Sequence, residues 1–191
     1  MKTVSLSGSL RENVGKKDAK TLRYAGKVPC VLYGGEEQVH FQMDQTNFKT
    51  ILFTPETFII DIKVGKKTYK ALLKDVQYHP VGDHVLLADF FEVNPEKPVV
   101  VSLPVKVKGT SPGVIRGGKL KVKLTRLSVK GLISNMPDFI EINISKLNVG
   151  QNIKIKNLQF DNLTFLGNSN AVVVEVMAAR GIVLADEEEE A

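Results

Sequence analysis

Lys16, Lys20, Arg23 and Lys27 recur at intervals of three and four residues, with Arg11 and Lys17 close by. On a helix that spacing gathers cations on one face, where they repel one another unless something anionic compensates them. Gly15 leaves an open turn ahead of this segment, and the first backbone N–H groups of a helix favour phosphate. The chemistry implied is phosphate binding, although a solvated helix face would show the same spacing. A second constellation lies in Lys74-Asp75-Val76-Gln77-Tyr78-His79-Pro80-Val81 and Ala88-Asp89-Phe90-Phe91-Glu92-Val93. Alternating residues run into an X-Pro stop and a Gly-Asp turn and then return, the pattern of a hairpin with one polar face. Lys74, Gln77, His79 and Asp89 fall on that face, a surface suited to hydrogen-bonding a polar partner. Tyr33, Tyr78 and His79 add rings with polar tips, able to stack on or hydrogen-bond nucleotides or to serve as half-buried structural residues.

The elements that position these residues are mostly strands. Strands are expected over Thr3–Leu10, Val28–Tyr33, Val39–Met43, Thr57–Val64, Lys67–Tyr78 and Val85–Val93. Helices are expected over Lys17–Ala25, stopped by Gly26, and over Gln45–Phe53, capped by Asp44 with Phe48, Ile51 and Leu52 inward. Many short strands with two short helices suggest a small closed barrel, since closure removes exposed edges. Val93-Asn94-Pro95-Glu96-Lys97-Pro98-Val99 interrupts both neighbouring patterns and divides the chain into residues 1–93 and 94–180. The second part is more purely β: Val99–Lys108, Lys119–Val129, Phe139–Ile144 and Ala171–Met177 alternate or run apolar. The remainder, 181–191, contains Asp186-Glu187-Glu188-Glu189-Glu190 and carries no periodicity, so disorder is expected there. The fold class is therefore mostly β with short helices, in two domains and an acidic tail.

Composition narrows the function. The chain has 191 residues, 43% hydrophobic and 25% charged, with a net charge of +5. Nine Lys or Arg and no Asp or Glu fall between Lys97 and Pro137, so the body is more basic than the total suggests. A basic body with an acidic tail points towards a polyanion. Lys119, Lys121 and Lys123 share one strand face; with Lys106, Lys108, Arg116, Arg126 and Lys130 they form a second phosphate-facing surface, or else they guard a sheet edge. One cysteine, Cys30, excludes a disulfide within the chain, and its apolar setting makes it inert. No apolar run reaches membrane-span length and no signal peptide is evident, so a cytoplasmic location is expected. Catalysis finds no support: Gly117-Gly118-Lys119 lacks P-loop spacing and Ser7-Gly8-Ser9 is no nucleophile elbow. Asp75, His79, Asp83 and His84 match neither zinc nor calcium spacing, and no metal or cofactor is expected. Aromatic residues make up only 7%, too few for a stacking platform that binds single strands generally.

Several motifs then occur in one order: Arg11, Gly15-Lys16, Leu22-Arg23, Ala25-Gly26-Lys27-Val28-Pro29, Val31-Leu32-Tyr33-Gly34, Lys74-Asp75-Val76-Gln77, His79-Pro80-Val81 and Asp89-Phe90. With Pro104, Gly113-Val114, Gly117-Gly118, Pro137, Ile140-Glu141 and Val149-Gly150 the whole chain resembles one bacterial family. That family is the twenty-fifth large-subunit ribosomal protein in its long two-domain form, also called general stress protein Ctc. The resemblance implies a six-stranded N-terminal barrel that binds 5S ribosomal RNA, and a β-rich C-terminal domain. It implies a non-enzymatic monomer within the large (50S) ribosomal subunit, beside other large-subunit components. Carried over by position, the RNA-binding residues are Arg11, Lys16, Lys20, Arg23, Tyr33, His79 and Asp89; Lys17 joins them on chemical grounds. The chain departs from the family at Ala19-Lys20, often Ser-Arg, at Tyr24, often arginine, and at Leu87, often histidine. An alternative is a stress-response interaction protein that acts mainly off the ribosome through its C-terminal domain.

Overall fold

The structure, a computed structural model, describes residues 1–35, 37–158, 160 and 162–178. The expected acidic tail at 181–191 lies outside the described residues. Two compact units are present, Met1–Val99 and a second beginning at Val100.

The first unit is a closed six-stranded barrel. Its strands are β1 (Lys2–Leu10), β2 (Lys27–Tyr33), β3 (Val39–Asp44), β4 (Phe58–Val64), β5 (Lys67–Tyr78) and β6 (Val85–Glu92). The order around the barrel is β1-β3-β2-β6-β5-β4. Alternation decides which side chains enter it: Val28, Cys30 and Leu32 from β2, Phe41 and Met43 from β3, Ile60, Ile62 and Val64 from β4, and Ala88 and Phe90 from β6 are all buried. Each large apolar side chain buried this way contributes about 1.5–3 kcal/mol. Closure depends on β1, which runs parallel to β4 from Lys2↔Phe58 to Gly8↔Val64. It meets β3 only at Ser9↔Gln42 and Leu10↔Phe41. Gly8 permits that meeting, because a Cβ there would lie 2.8 Å from the Phe41 ring.

Helix α1 (Lys16–Tyr24) joins β1 to β2 and ends where Gly26 takes a φ of 73°. Lys27 is therefore the first residue of β2, opposite Asp44, and does not extend the helical face of Lys16, Lys20 and Arg23. The expected second helix is also altered. A 3-10 turn over Gln45–Phe48 precedes a single α-turn, α2 (Lys49–Leu52), and Asp44 makes no side-chain cap. Asp44 is still held in the β2–β3 ladder, and the Gln45 N–H goes to the carbonyl of Gly26. Phe48 and Ile51 nevertheless enter the core as the apolar pattern requires, with Leu52 packed against it.

The second unit holds a four-stranded sheet, β10-β7-β9-β12, and a three-stranded sheet, β11-β13-β8. These strands are β7 (Val99–Lys108), β8 (Lys119–Val122), β9 (Arg126–Gly131), β10 (Ile140–Asn143), β11 (Asn152–Lys154), β12 (Thr164–Phe165) and β13 (Val172–Met177). The single strand expected over Lys119–Val129 is thus two strands in different sheets. Lys123 and Leu124 donate their N–H groups to Val173 of β13, while Thr125 offers its carbonyl to Val105 of β7, so the chain changes sheets between them. A one-turn helix, α3 (Pro112–Ile115), is capped by Ser111, the one buried polar residue among the described residues. Its Oγ donates to the Leu147 carbonyl and accepts from the N–H groups of Gly113 and Val114.

Candidate nucleic-acid interface

The β5–β6 hairpin and helix α1 bring most of the expected residues together. Regular alternation would put Lys74 and Gln77 on opposite faces, since they are three residues apart. The ladder pairs Leu73 with Phe90 but Asp75 with Asp89, so Lys74 is the extra residue of a bulge. Lys74, Asp75 and Gln77 are all exposed. The outward column that results is Val31–Asp89–Asp75 across β2, β6 and β5, beside Leu87–Gln77. Asp75 directly faces Asp89, an arrangement of like charges that costs stability unless a donor lies between them. Asp75 was not among the expected site residues, although it shares strand parity with Gln77. Leu87 holds the position next to Asp89 on this face, half-buried, and offers no polar group.

Tyr33 closes the same strip at the end of β2, its ring edge-on to Phe91 at 5.7 Å. Burial first, and then the carboxylates of Asp89 and Asp75, push the Tyr33 phenol above its ordinary value. The phenol therefore stays protonated at neutral pH and keeps an O–H to donate.

The hairpin tip is built around His79. Its N–H donates to the His84 carbonyl at 2.9 Å, and its ring stacks on His84 with centroids 4.6 Å apart and planes 17° apart. His79 Nδ1 accepts from the N–H groups of Val81 (3.2 Å) and Gly82 (3.0 Å). That commitment places the proton of the neutral ring on Nε2, which becomes the donor. A second irregularity pairs Gln77 with Leu87 and Tyr78 with Val85, so the ladder skips Leu86. The carbonyl of Leu86 is taken by Arg23 Nε at 3.0 Å. This bond ties α1 to the hairpin and orients the guanidinium.

Lys20, Arg23, Tyr24, Gln45, His79, His84 and Leu86 line an open groove of about 570 Å³ between α1 and the tip. Tyr24 is 81% exposed, and Lys20 Nζ stands 5.8 Å from its ring centroid. Lys16 and Lys17 are exposed on the first turn of the helix. Arg11 is placed differently. Its side chain is only 6% exposed and pairs with Asp18, Nη2 to Oδ2 at 2.7 Å and Nε at 3.3 Å. It fastens the loop before α1 to the helix instead of presenting a free cation.

Cys30 is buried, and burial holds its thiol far above the usual range. Among the described residues no group of three or more His, Cys, Asp or Glu could hold a metal ion. Among them no helix is long and apolar enough to cross a membrane. The interface thus offers cations on α1, fixed donors at Tyr33 and His79, and two carboxylate acceptors.

Residues 6–90 match the Ribosomal L25p family, and residues 98–180 match the C-terminal domain of ribosomal protein TL5. The chain is 42% identical over 186 residues to a large ribosomal subunit protein bL25 of Porphyromonas gingivalis, covering 95% of this chain and 97% of that one. It is 39% identical over 185 residues to the bL25 of Christiangramia forsetii, covering 96% and 84%. With the bL25 of Bacteroides fragilis it shares 36% identity over 193 residues, covering 97% and 98%. Both matched regions lie in one chain, and these relatives cover 95–97% of it; the chain belongs to the bL25 ribosomal protein family, in its long two-domain form.

Proposed function

We propose that this chain is a structural, non-catalytic component of the bacterial large ribosomal subunit, acts in the cytoplasm, and binds 5S ribosomal RNA through its first unit. The observation that supports this most is the Arg23–Leu86 bond. It sets a row of helix cations beside a strand surface of directed donors and acceptors. RNA helices hide their bases in a deep major groove but display sugar hydroxyls and base edges in a wide, shallow minor groove. A β surface laid across that minor groove reads shape. Lys16, Lys17 and Lys20 take phosphates and release counterions. Arg23, with Nε already committed, turns its remaining N–H groups to a phosphate in fixed geometry.

Within the groove His79 Nε2–H and the Tyr33 hydroxyl donate, whereas Asp89 and Asp75 accept. A carboxylate is repelled by phosphate, so it helps only where it meets a guanine amino group or a sugar hydroxyl. This makes the two aspartates discriminators and the helix cations the source of affinity. Lys20 keeps the charge of the arginine frequent in the family but loses its planar fork. The comparisons give no support to a role away from the ribosome.

The test is equilibrium binding of the full chain to 5S ribosomal RNA, with transfer RNA as competitor at fixed salt. Binding that resists the competitor, and that weakens at least about tenfold in a Lys16→Gln, Lys20→Gln, Arg23→Gln variant, is expected. Equal competition by transfer RNA would reject 5S recognition. Full retention of affinity by the variant would reject the assigned surface.

A further inference from the structure

Strand β8 lies at the edge of its three-stranded sheet; Lys119 and Lys121 alternate along it, Lys123 follows just past its end, and all three are exposed. Leu120, Val122 and Leu124 lie between them and are half-buried. The antiparallel register sets Met177 opposite Lys119 and Glu175 opposite Lys121, with Asn152 of β11 on the far side of Glu175. Lys123 Nζ bonds Glu175 Oε2 at 2.7 Å, and the Glu175 side chain is only 17% exposed. One face of this sheet therefore presents three ammonium groups above one sunken carboxylate. Arg116, also exposed, precedes them in sequence. Gly118, just before Lys119, leaves no room for a side chain: a Cβ would stand 2.6 Å from the Gly113 carbonyl oxygen and 2.7 Å from Val176 Cγ1. The start of β8 is thus packed against the body, which fixes the backbone that carries the lysines.

Guarding an edge does not require this much charge. A four-residue edge strand already discourages pairing by its shortness, and one lysine would add what is needed. Three like charges at a two-residue repeat of about 6.7 Å repel one another, and a partner with a repeating negative charge relieves that. Lysine is depleted at protein–protein interfaces, whose cores favour aromatic residues, and this face carries none. We propose that the Lys119–Lys121–Lys123 face is a second RNA contact, one that grips the phosphodiester backbone without reading bases. It lies in the second unit and is independent of the 5S-binding surface assigned above.

The experiment uses the full chain and an unrelated RNA duplex, so that base recognition plays no part. Lys16, Lys20 and Arg23 are first changed to Gln to remove the first unit's phosphate contacts. In that background the chain is expected to retain salt-sensitive duplex binding. Adding Lys119→Gln, Lys121→Gln and Lys123→Gln should lower the slope of log affinity against log salt by about two to three and weaken low-salt binding at least about tenfold. Restoring charge with Lys119→Arg, Lys121→Arg and Lys123→Arg should restore both. Three results would overturn the proposal: no duplex binding in the background variant, an unchanged slope after the Gln substitutions, or a change confined to binding of a polyglutamate probe. The 5S reading is judged separately, from wild-type competition against transfer RNA, so either can fail alone.

Discussion

The helix–hairpin surface of the first unit and the β8 face of the second are both basic, but they are built differently. In the first, polar atoms are committed before any partner arrives. Arg23 Nε is held by Leu86, His79 Nδ1 by two backbone N–H groups, and Arg11 is spent on Asp18. What remains points outward with defined donor and acceptor character. In the second, three lysines stand on flexible stems, and Lys123 bonds the carboxylate of Glu175. Pre-committed geometry suits discrimination, and a row of mobile charges suits affinity alone. The comparison teaches that counting cations does not distinguish a reading surface from a holding one; their anchoring does.

The largest expected effect comes from breaking the anchor. Arg23→Ala should weaken 5S ribosomal RNA binding by about 1.5–3 kcal/mol, the range of a hydrogen bond to a charged group, measured by filter binding at fixed salt. Arg23→Lys should recover only part, because the fork is lost. Lys121→Gln alone, by contrast, should leave 5S discrimination unchanged. If Arg23→Lys matches wild type, the anchored geometry is irrelevant and the two surfaces are of one kind.

A comparable loss is expected in stability at Gly113, and in the second unit only. A Cβ there would sit 2.6 Å from backbone atoms of Asn148 and Val149, with no flexible side chain to yield. Gly113→Ala should destabilise that unit by about 1–3 kcal/mol in chemical denaturation while 5S affinity stays at wild-type level. Loss of 5S binding in this variant would show that the first unit does not read RNA by itself.

These contrasts also show what was legible in the sequence. Lys16, Lys20 and Arg23 were readable as one face because helical spacing is local. The barrel strands were readable because alternation tracks burial. Spacing alone groups Lys27 with the helical cations, although the expected stop at Gly26 already ends the helix before it; the left-handed Gly26 turns the chain into β2 at Lys27. The run Lys119–Val129 reads as one strand, but its alternation slips by one residue at Thr125-Arg126, and there its two halves part to pair with Val173 and Val105 in different sheets. Asp75 was overlooked for a similar reason. A bulge at Lys74 is set by the register with Asp89 and leaves no composition signal. The burial of Arg11 beside Asp18 is equally invisible, because both residues read as surface charges.

At Asp89 the expected loss of overall affinity is smaller than at Arg23. Asp89→Ala is expected to cost discrimination against transfer RNA, by roughly 1–3 kcal/mol, more than it costs overall affinity. An equal loss for every RNA would make Asp89 a structural residue and blur the distinction between the two surfaces. The smallest effect concerns Tyr33. Its raised pKa means the folded form binds the phenolic proton more tightly than the unfolded chain. Stability from this group is therefore complete below the ordinary tyrosine value and falls as pH rises through the higher folded value. In an ultraviolet titration, Asp75→Asn with Asp89→Asn should bring the Tyr33 transition to lower pH but not to the ordinary value, since burial is the larger cause.

The first unit is proposed to read RNA form across a minor groove. Hydroxyl-radical footprinting of 5S ribosomal RNA with the full chain tests it most directly. Protection is expected of sugars facing one minor groove of an internally looped helix, erased by Arg23→Ala and kept when Lys119, Lys121 and Lys123 are changed to Gln. Protection spread evenly over the RNA, or a footprint that survives Arg23→Ala and vanishes with the β8 lysines, would contradict it.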